Sequence, residues 1–245
     1  MHCKICLQSI EKDTTWSTLF DFREQTLCPS CDEQLEKIQG PTCQKCMQQT
    51  EESLCADCVF WEQHLGKDSL DRNVSVYLYN EYMKETMARF KYRGDYEIVY
   101  AWKNSFQKAF RAHFPKEIQL LPIPLAESRF HERGFNQAEA LARLLDQPLF
   151  AGMIRTSQEK QSKKSKWERL SANNPFELIG TPPKNVVIVD DLFTTGSTVR
   201  FAAQLLKEAG AKSVSSLTLI RSKYVHENAP KFLPIPLSIQ QKTPI

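Results

Sequence analysis

Residues 186–198, Val-Val-Ile-Val-Asp-Asp-Leu-Phe-Thr-Thr-Gly-Ser-Thr, constrain the fold more than any other part of the chain. The apolar run Val186, Val187, Ile188, Val189 predicts a strand buried on both faces, a pattern that belongs to a parallel sheet covered by helices. Val199, Ala202, Ala203, Leu206 and Ala209 recur at helical spacing and predict an amphipathic helix over residues 198–209. Between them lies a turn, acidic first and hydroxyl-rich after. Gly196 lets the backbone curl, and the amides of residues 194–198 can converge near a helix N-terminus, where phosphate oxygens bind. Thr194, Thr195, Gly196, Ser197 and Thr198 are therefore expected to cradle a phosphate.

Asp190 and Asp191 would repel a naked phosphate. They fit a ligand that carries vicinal hydroxyls, which carboxylates can accept bonds from, or one accompanied by Mg²⁺. A ribose 5-phosphate meets both demands. The chain has no Gly-x-x-x-x-Gly-Lys-Ser/Thr and no Gly-x-Gly-x-x-Gly, so triphosphate and dinucleotide loops are poor fits. An ordinary capped helix explains one hydroxyl and not this series. The stretch resembles the ribose-phosphate loop of type I phosphoribosyltransferases. That resemblance implies that Asp190 and Asp191 hold the ribose hydroxyls, residues 194–198 hold the 5-phosphate, and Mg²⁺ accompanies phosphoribosyl pyrophosphate.

All eight cysteines fall within residues 1–60, as the pairs Cys3/Cys6, Cys28/Cys31, Cys43/Cys46 and Cys55/Cys58. Each Cys-x-x-Cys offers two thiolates from one knuckle, and two knuckles complete a tetrahedral zinc site. Two structural zinc ions are expected. Sequential pairing puts the first four cysteines on one ion and the last four on the other; crossed pairing fits the spacing equally. Trp16, Leu19, Phe20 and Phe22 suggest a small hairpin over the metal, and with so little core this region should need zinc to fold.

Farther along, residues 74–79 alternate like a strand, residues 82–90 and 98–114 read as helices, and residues 118–123 read as a strand. A loop follows to residue 137, then a helix over 138–145, with further strands at 176–178 and 213–220. The alternation predicts an α/β fold with a mostly parallel sheet and the phosphate loop at a carboxyl strand end. The expected divisions are a zinc-binding module (residues 1–60), a connection (61–73), a phosphoribosyltransferase-like domain (74–222) and a polar, proline-bearing tail (223–245).

Residues 90–95 (Phe-Lys-Tyr-Arg-Gly-Asp), residues 133–137 (Arg-Gly-Phe-Asn-Gln) and the ribose-phosphate loop together resemble the ComF family of competence proteins. The resemblance implies a zinc module ahead of a type I phosphoribosyltransferase-like domain, and action on DNA taken up in natural transformation. The loop after the first core strand binds pyrophosphate in phosphoribosyltransferases, which makes Arg129 and Arg133 candidates for that role. Residues 155–169 hold 6 bases and 2 acids and fall where such enzymes carry a flexible catalytic loop. Here Gln161 and Glu168-Arg169 match the family, but residues 162–166 (Ser-Lys-Lys-Ser-Lys) replace its usual Gly-Leu-Ser-like stretch.

Charge is unevenly spread. Residues 1–60 hold 5 Lys/Arg against 10 Asp/Glu, a balance of −5, so the remainder carries +8 of the overall +3. Single-stranded DNA is the expected partner, with Lys91, Arg93, Lys163, Lys164 and Lys166 as phosphate contacts and Phe90, Tyr92, Phe130 or Phe135 as stacking surfaces. Other DNA-uptake proteins, such as a ComF-operon helicase, are the protein partners the resemblance implies. No apolar run reaches the ~20 residues of a membrane span, and the N-terminus lacks a signal-peptide core, so the expected location is the cytoplasm. The alternative is a phosphoribosyltransferase with an unidentified acceptor; no catalytic residue is assigned.

Overall fold

The computed structural model describes residues 1–10, 25–64, 69–156 and 174–222. The chain opens with helices α1 (Pro29–Gln34) and α2 (Ala56–His64), then runs β1 (Asn73–Leu78), α3 (Glu81–Tyr92), a 3-10 turn (Tyr96–Trp102) and α4 (Lys103–His113). It continues through β2 (Gln119–Pro122), α5 (Glu127–Arg133), α6 (Gln137–Arg143), β3 (Met153–Arg155), β4 (Phe176–Leu178), β5 (Asn185–Phe193), α7 (Ser197–Glu208) and β6 (Ser213–Arg221).

β1, β6, β5 and β2 lie in that order in one parallel sheet, and β3 pairs with β4 in antiparallel fashion as a separate two-stranded sheet. The central β5 and β6 have 9 residues each against 6 and 4 at the edges. Alternate side chains serve opposite faces. Val187, Val189, Leu217 and Leu219 pack with Phe90, Trp102, Phe106 and Leu141, from the α3 to α6 side. Val186, Ile188 and Val214 pack with Val199, Ala202, Ala203 and Leu206 of α7.

The two groups of knuckles sit on opposite faces of this sheet. Cys3, Cys28 and Cys31 belong to the first core, and Cys43, Cys46, Cys55 and Cys58 to the second. Each group has the same construction. Leu7 and Met47 both take a left-handed φ (63° and 58°) just after a Cys-x-x-Cys, and their amides bond Cys3 O and Cys43 O. The second knuckle in each group lies at a short helix start, α1 or α2. Between the groups, residues 36–38 cross the edge of β1: Leu78 N donates to Glu36 O (2.8 Å), and Lys37 bridges Tyr77 in antiparallel fashion.

Three elements differ from expectation. β5 runs on to Phe193, so Asp190 and Asp191 lie in the strand and not in the turn, because the ladder to β6 continues through Asp190 with Thr218 and Leu192 with Ile220. Residues 98–102 form part of a 3-10 turn and not the first turns of α4; a 3-10 turn eclipses i and i+3, which stacks Ile98 on Ala101 and Val99 on Trp102, all buried. The segment expected as a loop before residue 137 contains α5, which buries no side chain and so leaves no apolar period to read. Gly134 ends it at φ 77°. The expected hairpin around Trp16, Leu19, Phe20 and Phe22, the residues Gln161, Lys163, Lys164, Lys166, Glu168 and Arg169, and the tail all lie outside the described residues.

Candidate functional site

The loop from β5 into α7 leaves the sheet at the carboxyl end of a central strand. Gly196 has φ 75°, and a Cβ there would stand 2.2 Å from Phe193 Cζ and 2.3 Å from Arg200 Nη1. Glycine is thus required by conformation and by space. Its neighbours Thr195 and Ser197 are half-buried, Thr194 is exposed, and Thr195 Oγ1 donates to Ser197 Oγ at 3.4 Å. Ser197 and Thr198 occupy the first turn of α7, where amides have no carbonyl partner within the helix.

Asp190 Oδ1 accepts from the Asp191 amide at 2.9 Å. Burial pushes the Asp190 carboxyl up to about 8, with the adjacent Asp191 charge acting the same way and Lys91 opposing it. Lys91, from the last turn of α3, pairs with Asp191. Lys91 of the 90–95 segment therefore faces the ligand loop.

Ile123 N donates to Val189 O (2.9 Å), which holds the start of the 123–136 segment beside the end of β5. α5 from this segment packs against α3. Arg133 lies over the Tyr92 ring (5.3 Å) and donates to Gln137 Oε1 (2.8 Å), while its buried Nε has no protein partner among the described residues. Arg129 is exposed and pairs with Glu132. Tyr92 and Phe130 are 55% and 48% exposed, and Arg93 is exposed beside them. Two expected stacking surfaces are corrected. Phe90 is wholly buried against Trp102 and Phe135, and Phe135 is half-buried between Phe90 and Tyr96. Both rings build the core.

The sulfurs form two groups, Cys3, Cys6, Cys28, Cys31 and Cys43, Cys46, Cys55, Cys58, each with all Sγ atoms within 4.8 Å of one another. Sequential pairing is therefore the one the fold makes. Four sulfurs ~2.3 Å from a tetrahedral ion stand about 3.8 Å apart. Cys6 and Cys28 are 3.7 Å apart and Cys46 and Cys55 are 3.4 Å apart, so both groups fit a metal ion. In the second group, hydrogen bonds among the four thiols push Cys43 down and Cys55 and Cys58 up, so without an ion they share protons that a bound divalent ion would displace.

The second group touches the ligand loop through two buried arginines. Arg200 Nη2 donates to Cys58 Sγ (3.3 Å) and Nη1 to Thr195 O (2.9 Å). Arg221 Nη2 donates to Cys46 Sγ (3.6 Å), and Nη1 donates to Phe193 O (3.1 Å) and Thr194 O (2.7 Å). Trp61 of α2 adds a bond from Nε1 to Thr195 O (3.1 Å) and lies 5.3 Å from the Arg200 guanidinium. Sequence reasoning assigned no role to Trp61, Arg200 or Arg221, although a cation at i−3 from Ala203 on the buried side of a helix was a visible signal.

Residues 131–234 match the phosphoribosyl transferase domain family. Competence protein ComFC of Bacillus subtilis (strain 168) is 45% identical over 228 residues, covering 90% of this chain and 95% of that protein. The chain belongs to the ComFC family. Competence protein ComFC of Streptococcus pneumoniae (strain ATCC BAA-255 / R6) is 31% identical over 226 residues, covering 90% of this chain and all of that protein. Competence protein F of Haemophilus influenzae (strain ATCC 51907 / DSM 11121 / KW20 / Rd) is 26% identical over 219 residues, covering 80% and 90%. The ComFC match and the phosphoribosyl transferase domain together bear out the expected family and its mostly parallel α/β fold. Within this ComFC-family chain, the domain match includes β5, α7 and β6 and hence the whole ligand loop.

Proposed function

We propose that this chain handles incoming single-stranded DNA during natural transformation and binds phosphoribosyl pyrophosphate, with Mg²⁺, at residues 190–198. The observation that carries the ligand reading is the β5-to-α7 loop itself, a glycine-dependent turn at a carboxyl strand end with two carboxylates one step upstream. Arg133, with a buried Nε that lacks a protein partner among the described residues, supports a pyrophosphate position near α5; Arg129 is the outer candidate. The ions held by the two thiolate groups are zinc, for which four sulfur ligands are usual, and they serve structure. Residues 1–60 form the zinc-binding part, residues 74–222 the phosphoribosyltransferase-like part, and the location is cytoplasmic.

The DNA reading draws on the names of the relatives and on exposed Tyr92, Arg93, Arg129 and Phe130, which lie on the adjoining α3 and α5 region beside the ligand loop. A helicase or other uptake protein would deliver or receive the strand. Phosphoribosyl transfer to an unidentified acceptor is the second reading, favoured by the retention of both Asp190 and Asp191 alongside the phosphate turn.

Calorimetry with phosphoribosyl pyrophosphate and Mg²⁺ tests the ligand. Binding should vanish in Asp190→Ala/Asp191→Ala and in Gly196→Val; unchanged affinity in both variants removes the assignment. In cells, a deletion strain should lose DNA uptake or delivery while growing without added bases, whereas a purine or pyrimidine requirement favours the enzyme.

A further inference from the structure

We propose that the second thiolate group, Cys43, Cys46, Cys55 and Cys58, is a positioning element of the ligand loop, and that Arg200 and Arg221 connect the two. The inference rests on reading residues 190–198 as the ligand loop. A trans peptide places its C=O and N–H on opposite sides of one plane. The carbonyls of Thr194 and Thr195 are drawn inward by Arg221, Arg200 and Trp61, and Phe193 O is held by Arg221 together with the Ser222 amide. The amides across those three planes belong to Thr194, Thr195 and Gly196. They are turned the other way, away from the two arginines, as a phosphate cradle needs.

A buried guanidinium is costly unless its charge is met. Arg200 and Arg221 are 0% and 1% exposed, and each reaches a sulfur of the second group with its other arm. A divalent ion held by four thiolates carries two negative charges, and the two guanidiniums bring two positive ones. The loaded group brings them counter-charge through Cys58 and Cys46. When the group opens, the arginines lose it, and the Thr194 and Thr195 carbonyls lose their fixed donors, while Phe193 O keeps the Ser222 amide (3.0 Å). Among the described residues, Arg89, a cation bonded to the first group's knuckle at Ile5 O (2.7 Å), turns its other arm to Asp95 and not to residues 193–198.

Hydrogen exchange of the full chain, read by mass spectrometry over residues 193–198, tests the connection without requiring any ligand. Cys55→Ser and Arg200→Met should each speed exchange there, while Cys6→Ser, in the first group, should leave it unchanged. Affinity for phosphoribosyl pyrophosphate should fall about 10- to 100-fold in Arg200→Met, the range seen when groups supporting a metal ligand are removed. Arg200→Lys keeps a charge near Cys58 without the fork and should hold both metal ions yet fail to restore loop protection. Should Cys55→Ser not fold, Arg200→Met decides alone. Loop exchange equal to wild type in Arg200→Met, or equally raised by Cys6→Ser, overturns the proposal. A wild type that binds no phosphoribosyl pyrophosphate removes the ligand reading, while the exchange comparison still decides the connection.

Discussion

Lys91 and Asp191 form an ion pair between the last turn of α3 and β5, with their side chains only 17% and 14% exposed. Removing one partner of a shielded pair leaves the other charge unmet, so Lys91→Met should destabilise the chain by about 1–3 kcal/mol. Lys91→Met/Asp191→Asn should recover most of that loss, because the neutral pair leaves no orphaned charge. Urea unfolding of the two single variants and the double variant measures the coupling. Additive losses would mean that the pair contributes nothing in solution.

The raised Asp190 carboxyl makes stability depend on pH in a definite direction. Its folded-state value of about 8 exceeds the ordinary 3.8, so the folded chain holds this proton more tightly than the unfolded chain. The contribution is complete below about 3.8 and declines as pH rises through about 8. Asp190→Asn, which keeps the acceptor for the Asp191 amide, should therefore gain on wild type in melting temperature as pH rises from 4 toward 9 (roughly, by the linkage relation). Parallel melting curves across that range would show that Asp190 titrates normally.

Metal release should be biphasic. Cys6 of the first group is exposed, whereas all four cysteines of the second are buried. A chelator with a colorimetric zinc indicator should remove about one ion per chain quickly and one slowly, since eight thiolates make two tetrahedral sets. Cys6→Ser should abolish the fast phase. A single slow phase for both ions contradicts the exposure argument.

Deleting residues 1–60 should not leave a well-behaved phosphoribosyltransferase-like fragment. The deletion uncovers the edge of β1 now crossed by residues 36–38, together with the buried polar ladder of Asn73, Ser75, Ser216 and Thr218 under the Cys46 carbonyl. Open strand edges pair with other chains. Size-exclusion chromatography should find aggregates where the full chain elutes as a discrete species.

For DNA, Tyr92→Ala and Phe90→Leu should fail differently. Tyr92 is exposed and offers a stacking face worth ~1–3 kcal/mol per base, so its loss should weaken oligonucleotide binding with little effect on melting. Phe90 is buried, so its change should lower the melting temperature first. Neutralising Lys163, Lys164 and Lys166 together should flatten the dependence of log K on log salt, because fewer counterions are released. Fluorescent-oligonucleotide titrations at several salt concentrations read both effects; an unchanged slope separates these lysines from the strand.

What was legible in the sequence was local. β5 and α7 announce themselves through adjacent residues, and the Cys-x-x-Cys knuckles through their spacing. The burial of Phe90 was legible too, since Met83, Met87 and Phe90 recur at i, i+4 and i+7 on α3, but the interleaved lysine and arginine suggested an open surface. α5 was hidden because it buries no apolar side chain and so shows no apolar period. The roles of Arg200 and Arg221 were hidden for another reason: their sulfur partners are 142 and 175 residues away, and no periodicity relates a side chain to a contact at that distance.

Those same separations set an order of assembly. The cysteines of the second group leave the ribosome long before Arg221, which closes over Cys46 from 175 residues downstream. At about 5–20 residues per second, synthesis of that interval takes roughly 9–35 s. For most of this time the knuckles are reachable by oxidants and competing metals, since α7 and β6, which cover them, are made last. The nascent chain makes these thiols early and shields them last.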